Sequence, residues 1–293
     1  MSISDFPLTA QQKADYEHDG FLIVSGLFST DEVQEIADHF MAVHQAGLDP
    51  ESAVHQHYRP VSLEETEGEI LRHYPRIMQP ARWDEASLRY LLDSRVGAVL
   101  EQLLEDEPLA AQSMLYFKPP GARGQALHQD NFYLGVKPGN CMAAWLSLDR
   151  ADAENGGMFV VPGSHNLPVL CPHLADMTRS FAYEEVTVPE GLTPVQITLE
   201  AGDVLFFNGS VIHGSTPNSS TDRFRRAFIC HYVPDSTKAM SHWYYPLVRF
   251  NGETLTREEN NIGTSVCGTE DRESYEAAQR AFQENNPVLA AVH

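Results

Sequence analysis

Apolar residues recur at helical spacing through the first third of the chain and fall into short runs after it. Val33, Ile36, Ala37, Phe40 and Met41 share one face of a 3.6-residue repeat, which predicts an amphipathic helix. Ser29-Thr-Asp-Glu32 stands just ahead of them. It has the form of a capping box, in which residues three apart satisfy each other's free backbone N–H groups. Thr9-Ala-Gln-Gln12 has the same form and predicts a short helix running to the Asp19-Gly20 turn. Phe21 to Phe28 is apolar and bounded by turn residues, as a buried strand is. One more helix is expected from about Asp84, burying Leu88, Leu91, Leu92, Val99, Leu103 and Leu104. The segment between these helices is rich in His, Glu, Pro and Arg and reads as irregular loop.

From Gln112 the pattern changes. Runs rich in β-branched and aromatic residues alternate with Gly, Pro and Asn turns: Ser113–Lys118, Cys141–Asp149, Met158–Val161, Val195–Leu199, Val204–Phe207 and Arg226–Val233. Strands spaced this closely, without helices between them, predict an antiparallel sandwich or barrel rather than a parallel α/β sheet. The expected class is α+β, mainly β, with a barrel core backed by N-terminal helices. No linker or repeat interrupts it, so residues 1–293 are expected to form a single domain. Its parts are a mainly helical stretch to 110, a core over 111–235 and an extension over 236–293. Within that extension, Asp271–Asn285 reads as a helix.

Composition narrows the function classes. Against 20 basic residues stand 41 acidic ones, a formal charge of -21, which repels phosphate backbones and anionic lipid surfaces. No nucleic-acid or membrane partner is expected, although a single arginine can reverse the field inside a pocket. The N-terminal stretch lacks a basic region followed by an apolar one, and no run approaches the ~20 apolar residues of a membrane span. A cytoplasmic protein is expected. Cys141, Cys171, Cys230 and Cys267 are widely spaced, with no C-x-x-C pair, and all four are expected to be reduced. Oligomeric state is not indicated.

The chemistry concentrates at Leu127-His128-Gln129-Asp130. On an extended strand, residues two apart project from one face, so His128 and Asp130 would present an imidazole and a carboxylate side by side, with Gln129 turned away. Ala201-Gly202-Asp203 then turns into the apolar run Val204–Phe207, and Ile212-His213-Gly214-Ser215 follows. A histidine beside a glycine that permits close backbone approach completes two histidines and a carboxylate. That set leaves three positions of an iron(II) ion open. Next, Phe224-Arg225-Arg226-Ala227 leads a basic pair into another core strand. An arginine inside a barrel is costly unless it meets an anion, and its planar fork suits a carboxylate. Arg225 and Arg226 point to opposite faces, and parity alone does not say which one faces inward.

These segments resemble the phytanoyl-CoA dioxygenase family of iron(II)- and 2-oxoglutarate-dependent oxygenases. The resemblance runs from about Gln112 to Val233. It rests on Met114–Pro120 (MLYFKPP), His128-Gln129-Asp130, Ala144-Trp145, Val161-Pro162-Gly163-Ser164-His165, His213-Gly214-Ser215 and Phe224-Arg225-Arg226-Ala227. It implies a double-stranded β-helix (jelly roll) and iron held by His128, Asp130 and His213. It also implies Arg225 on the far carboxylate of 2-oxoglutarate, with Met114, Gln129, Trp145 and Ser215 near that cosubstrate. Dioxygen and a small-molecule substrate complete the expected reaction, hydroxylation of an unactivated C–H bond with release of succinate and CO2. Related halogenases carry a small residue in place of the carboxylate, so Asp130 argues for hydroxylation.

Other residues carry weaker signals. Arg123, Gln125, Phe132 and Tyr133 flank the metal motif and are expected near the substrate; Lys118 either joins them or is solvated. His165 reads as a turn histidine bonded to backbone, and His231 as a core histidine, one that would line the barrel if Arg225 does. His55, His57 and His73 read as solvated loop residues that would lie near the site mouth if they act. Ser241–Tyr245 suits a lid or an oligomer contact. Two other functions fit the fold: a jelly-roll binding protein without turnover, and a cupin-like metal isomerase or lyase independent of 2-oxoglutarate.

Overall fold

A computed structural model describes residues 6–49, 51–55, 76–259 and 267. His57, His73 and the helix expected over Asp271–Asn285 lie outside them. Both capping boxes form. Thr9 caps α1 (Ala10–Asp19) and Ser29 caps α2 (Thr30–Gly47), each exchanging bonds with the residue three ahead. Between them runs β1 (Phe21–Val24), and β2 (Arg76–Met78) follows where loop was expected. The single helix expected from Asp84 is two, α3 (Glu85–Leu91) and α4 (Ser94–Leu104). Asp93 breaks it, because its carboxylate accepts from Arg95 N–H at 2.9 Å and starts a new helix.

The strands then follow in order: β3 (Pro108–Tyr116), β4 (Gln125–His128), β5 (Met142–Ser147) and β6 (Met158–Val160), with α5 (Asn131–Leu134) after β4. The ribbon β7 (His173–Leu174) and β8 (Glu184–Glu185) leads to β9 (Val195–Gln196), β10 (Val204–Asn208), β11 (His213–Ser215) and β12 (Ala227–Pro234). The pieces β13 (Ala239–Met240), β14 (Leu247–Val248), β15 (Thr254–Leu255) and β16 (Glu258–Glu259) end the described chain.

Two antiparallel sheets face each other as a jelly roll. The larger runs β1-β10-β5-β12-β3-β14-β15, with β2 also on β3; the smaller runs β4-β11-β6-β9. Strands from before residue 110 and after 235 thus complete the large sheet.

Period-two alternation assigns that sheet's faces. Leu146, Phe206, Phe228, Cys230 and Tyr232 pack with Ile36 and Phe40 of α2 and Val99 and Leu100 of α4. Trp145, Leu205, Phe207, Ala227 and Ile229 face the small sheet and pack with Met158 and Val160. Burying a side chain of this size contributes roughly 1.5–3 kcal/mol, so the helices hold the sheet against water on one side. The other side is free to line a cavity.

One expectation fails outright. Cys171 and Cys267 are joined as a disulfide, whereas Cys141 and Cys230 are free and buried. The Cα atoms of the bonded pair lie 4.6 Å apart despite 96 residues of separation, a proximity that spacing in the sequence does not reveal. Among the described residues, no helix is long and apolar enough to cross a membrane.

Candidate active site

The two short strands β4 and β11 set His128 and His213 opposite each other, as register partners with ring centroids 4.2 Å apart. Gly214 permits this pairing, since a Cβ there would stand 2.8 Å from the Gln125 carbonyl oxygen. Each ring donates from Nδ1 to a carbonyl two residues earlier: His128 to Ala126 at 2.8 Å, His213 to Val211 at 3.0 Å. With the proton held on Nδ1, each Nε2 keeps a lone pair for a metal.

Asp130 arrives differently from the same-strand geometry expected. The strand ends at His128, and Asp130, at φ -62° and ψ -34°, opens α5. The intervening Gln129 is buried and fully engaged. It donates to the Ser210 carbonyl at 2.8 Å and accepts from Leu170 N–H at 2.7 Å. Gln129 does not line the cavity, so its expected place beside the cosubstrate is corrected: its amide is used in holding the turn. That turn brings Asp130 Oδ1 to 3.5 Å from His128 Nε2 and 3.6 Å from His213 Nε2. The three ligand atoms lie within 4.8 Å of one another, the one such group among the described residues. Two neutral imidazoles and a carboxylate fit a mononuclear iron(II) with open positions.

His231, read from sequence as a core histidine, lines the cavity and completes the cluster. From β12 it donates Nε2–H to Asp130 Oδ2 at 2.8 Å, so that Oδ1 is the oxygen left facing the two histidines. Its Nδ1 has no hydrogen-bond partner among the described residues, in keeping with a proton on Nε2. Burial alone would raise the Asp130 carboxyl, yet the histidines around it, with the Nε2–H bond from His231, hold it well below the usual carboxylate range. Burial pushes His213 down to about 4, so it is neutral and able to ligate near pH 7.

The cluster opens on a cavity of about 810 Å³ between the sheets, within the range of small-molecule sites. Met114, Trp145, Met158, Ile229, Ser215 and Arg225 line it at its inner end. Strand β12 settles the arginine parity. Arg225 shares its face with Ala227, Ile229 and His231, whereas Arg226 turns to the helix side and pairs with Asp149 at 2.7 Å. Arg225 is buried, with its guanidinium carbon 5.2 Å from the Trp145 ring centroid and its Nε–H on the Gly156 carbonyl at 3.1 Å. Burial lowers its pKa to about 10, which leaves it charged at neutral pH.

Lys118 lies beside it and is not solvated. It is 1% exposed and donates from Nζ to Gly156 O and to Ser215 Oγ, both at 2.9 Å. Burial, then the charge on Arg225, pushes its pKa well below the ordinary lysine value. Ser215 Oγ accepts from Lys118 and, at 3.3 Å, from Gln125 N–H, so its own hydrogen is left to donate into the cavity. Neither Lys118 nor Arg225 has a carboxylate within ion-pair distance among the described residues. This corner is built to receive an anion. Gly156 makes it possible: at φ +80°, a Cβ would lie 2.6 Å from Lys118 Cε.

At the outer end stand Arg76, Arg123, Gln125, Tyr133, Glu184 and Tyr244. The Gln125 amide lies 3.0 Å from His128 Nε2. Phe132, expected here, does not line the cavity; it packs edge-on against Tyr133 at 5.2 Å. His165 meets the Glu17 carbonyl in a 3-10 turn, and His55 meets the Gly47 carbonyl. Of the strip Ser241–Tyr245, only Tyr244 lines the cavity, while Trp243 is 59% exposed. Sequence reasoning missed Arg76 and Glu184, and gave His231 a place in the barrel only if Arg225 faced inward. None of them sits in a motif, though His231 shares the parity of Arg225.

Known proteins carry the same framework. The family model described as Phytanoyl-CoA dioxygenase (PhyH) matches residues 16–227. The mouse (Mus musculus) protein named "Phytanoyl-CoA dioxygenase, peroxisomal" is 30% identical over 236 residues, covering 77% of this chain and 68% of that protein. A Stutzerimonas stutzeri protein named "Probable alpha-ketoglutarate-dependent hypophosphite dioxygenase" is 25% identical, covering 78% of this chain and 79% of that one. Among solved structures, EctD from S. alaskensis with 2-oxoglutarate and 5-hydroxyectoine has a TM-score of 0.60 at 25% identity, covering 80% of this chain and 79% of that one. The epimerase SnoN, with Fe3+ and alpha ketoglutarate, shares the fold at a TM-score of 0.59 and 21% identity, covering 78% and 84%. Matched over most of its length, and carrying a metal-competent triad beside an anion-receiving corner, this chain belongs to the phytanoyl-CoA dioxygenase family and is a 2-oxoglutarate-dependent non-haem iron oxygenase.

Proposed function

We propose that the protein hydroxylates an unactivated C–H bond of a small organic metabolite, with conversion of 2-oxoglutarate to succinate and CO2. The observation that carries this reading is the pairing of the buried triad with a buried guanidinium, Arg225, and a buried amine, Lys118, that have no carboxylate partner among the described residues. His128, Asp130 and His213 hold the iron. Arg225 and the Ser215 hydroxyl, backed by Lys118, take the 5-carboxylate of 2-oxoglutarate, while Trp145, Met114 and Ile229 wall its carbon chain. Iron(II) chelated by 2-oxoglutarate supplies the oxidising chemistry when bound; the protein supplies orientation and a dry pocket. Asp130 occupies the position that a halide would need, which favours oxygen insertion.

Anaerobic titration of the iron(II)-loaded protein with 2-oxoglutarate tests this through the weak visible charge-transfer band of the chelate. The band is expected in wild type. It should be lost in His213→Ala and shifted to much higher 2-oxoglutarate in Arg225→Ala. A folded, iron-loaded wild type without the band would refute the reading and favour a metal isomerase or lyase on the same scaffold.

A further inference from the structure

The inner end of the cavity is close to balanced once its proposed occupants are counted, because Arg225 and Lys118 answer the far carboxylate of 2-oxoglutarate. The outer end is not. It holds the guanidinium groups of Arg76 and Arg123 against the one carboxylate of Glu184, which already accepts from Tyr133 Oη–H at 3.2 Å.

This imbalance is unusual for the chain. Acidic residues outnumber basic ones by 41 to 20, and Arg89, Arg95, Arg150, Arg223, Arg226, Arg249 and Arg257 all make ion pairs. Carboxylates are thus plentiful, yet neither Arg76 nor Arg123 has one within ion-pair distance among the described residues. Both are nevertheless held in place. The Arg76 guanidinium carbon lies 5.3 Å from the Phe181 ring centroid, which covers one face of the group. Arg123 is anchored through Nη1 to the Met177 carbonyl at 2.9 Å and the Ser180 carbonyl at 3.4 Å. Its Nη2 and Nε make no bond to a described residue, and that is the edge with which a guanidinium grips an oxyanion bidentately. Met78, Leu134, Met177 and Phe181 supply apolar wall around them.

We propose that Arg76 and Arg123 form an anion subsite for the primary substrate, a small organic molecule bearing a carboxylate, phosphonate or related oxyanion on an apolar body. The proposal deepens the oxygenase reading and rests on it. The acidic exterior does not oppose such a substrate, because screening confines surface fields to about a Debye length of ~8 Å.

The test uses the full-length protein loaded with iron(II) and saturating 2-oxoglutarate under argon, which blocks the inner anion site. Heptanoate, hexylphosphonate, hexan-1-ol and hexylamine are titrated calorimetrically and through the charge-transfer band. They differ only at the head group. The two anions are expected to bind on the order of tenfold to a hundredfold more tightly than the alcohol or the amine, the range of a hydrogen bond to a charged group. The ratio of heptanoate to hexylphosphonate identifies the head group. In Arg123→Gln and in Arg76→Gln, each checked for its melting temperature, that preference falls about tenfold; Arg225→Gln moves 2-oxoglutarate affinity instead. Binding of the alcohol or amine as tight as that of the anions, no binding by any of the four, or an anion preference unchanged in both variants would overturn the subsite. A wild type without the band would defeat the oxygenase reading itself, so the two failures are distinct.

Discussion

Replacing His231 with leucine removes the donor that occupies Asp130 Oδ2 while keeping an apolar side chain of comparable size on β12. The bond is 2.8 Å long, its acceptor is ionised, and both residues are buried, at 2% and 7% exposure. A hydrogen bond to a charged group contributes roughly 1.5–3 kcal/mol, and loss here also leaves a buried carboxylate oxygen unpaired. Second partners of metal ligands typically matter by about 10- to 100-fold in metal affinity, and the same range follows from that energy. His231→Leu should therefore bind iron(II) ~10- to 100-fold more weakly, measured anaerobically by competition with a chromophoric chelator. The charge-transfer band of the 2-oxoglutarate complex should also move, because an unrestrained Oδ2 is free to approach the metal. His231→Gln returns an amide donor to the same region and should recover part of the affinity, which a loss of packing alone would not allow. If His231→Leu melts like wild type, binds iron(II) equally well and shows an unshifted band, the positioning role is wrong.

Three further outcomes are expected. Lys118→Met should weaken 2-oxoglutarate about tenfold by releasing Ser215, yet raise the melting temperature of the ligand-free protein, since a polar amine buried against the Arg225 charge gives way to an apolar side chain. Gly156→Ala should destabilise by roughly 1–3 kcal/mol in denaturant melts, because φ is +80° and the new Cβ would stand 2.7 Å from the Thr216 carbonyl oxygen; it should weaken 2-oxoglutarate too. The Arg95 guanidinium beside Glu32, with the Ser29 cap, holds that carboxyl at about 2 against an ordinary value of 4.5. A depressed carboxyl stabilises the fold above its unfolded pKa and loses that contribution as pH falls toward the folded value. Wild type should thus lose stability between pH 4.5 and 2 more than Glu32→Gln does, in melting temperatures followed across pH; parallel curves would contradict the pairing.

Local interactions make part of this protein legible in the order of its residues alone. The capping boxes at Thr9 and Ser29 and the helical stripe from Val33 to Met41 depend on residues three or four apart, and such contacts are written in the chain. The same holds for the β texture after Gln112, where alternation and turn residues are local. The motif around His128 and Asp130 is legible by type, but its geometry is not. The Asp130 carboxylate comes from a helix start rather than a strand, because Ser210 and Leu170 hold the Gln129 amide from far along the chain.

What only the tertiary structure decided are meetings across long separations. Register between β4 and β11 puts His128 opposite His213, and β12 carries His231 to Asp130 across 101 residues. Cys171 finds Cys267, and Lys118, for which solvation is one of two sequence readings, turns inward beside Arg225. The most consequential of these is charge. A chain of formal charge -21 predicts an electronegative surface, and nothing local in it says that its cavity is lined by three arginines and two carboxylates. Composition sums charge over the whole chain, whereas a pocket responds to the few groups that folding leaves unpaired within reach of a ligand, where low dielectric makes each one count.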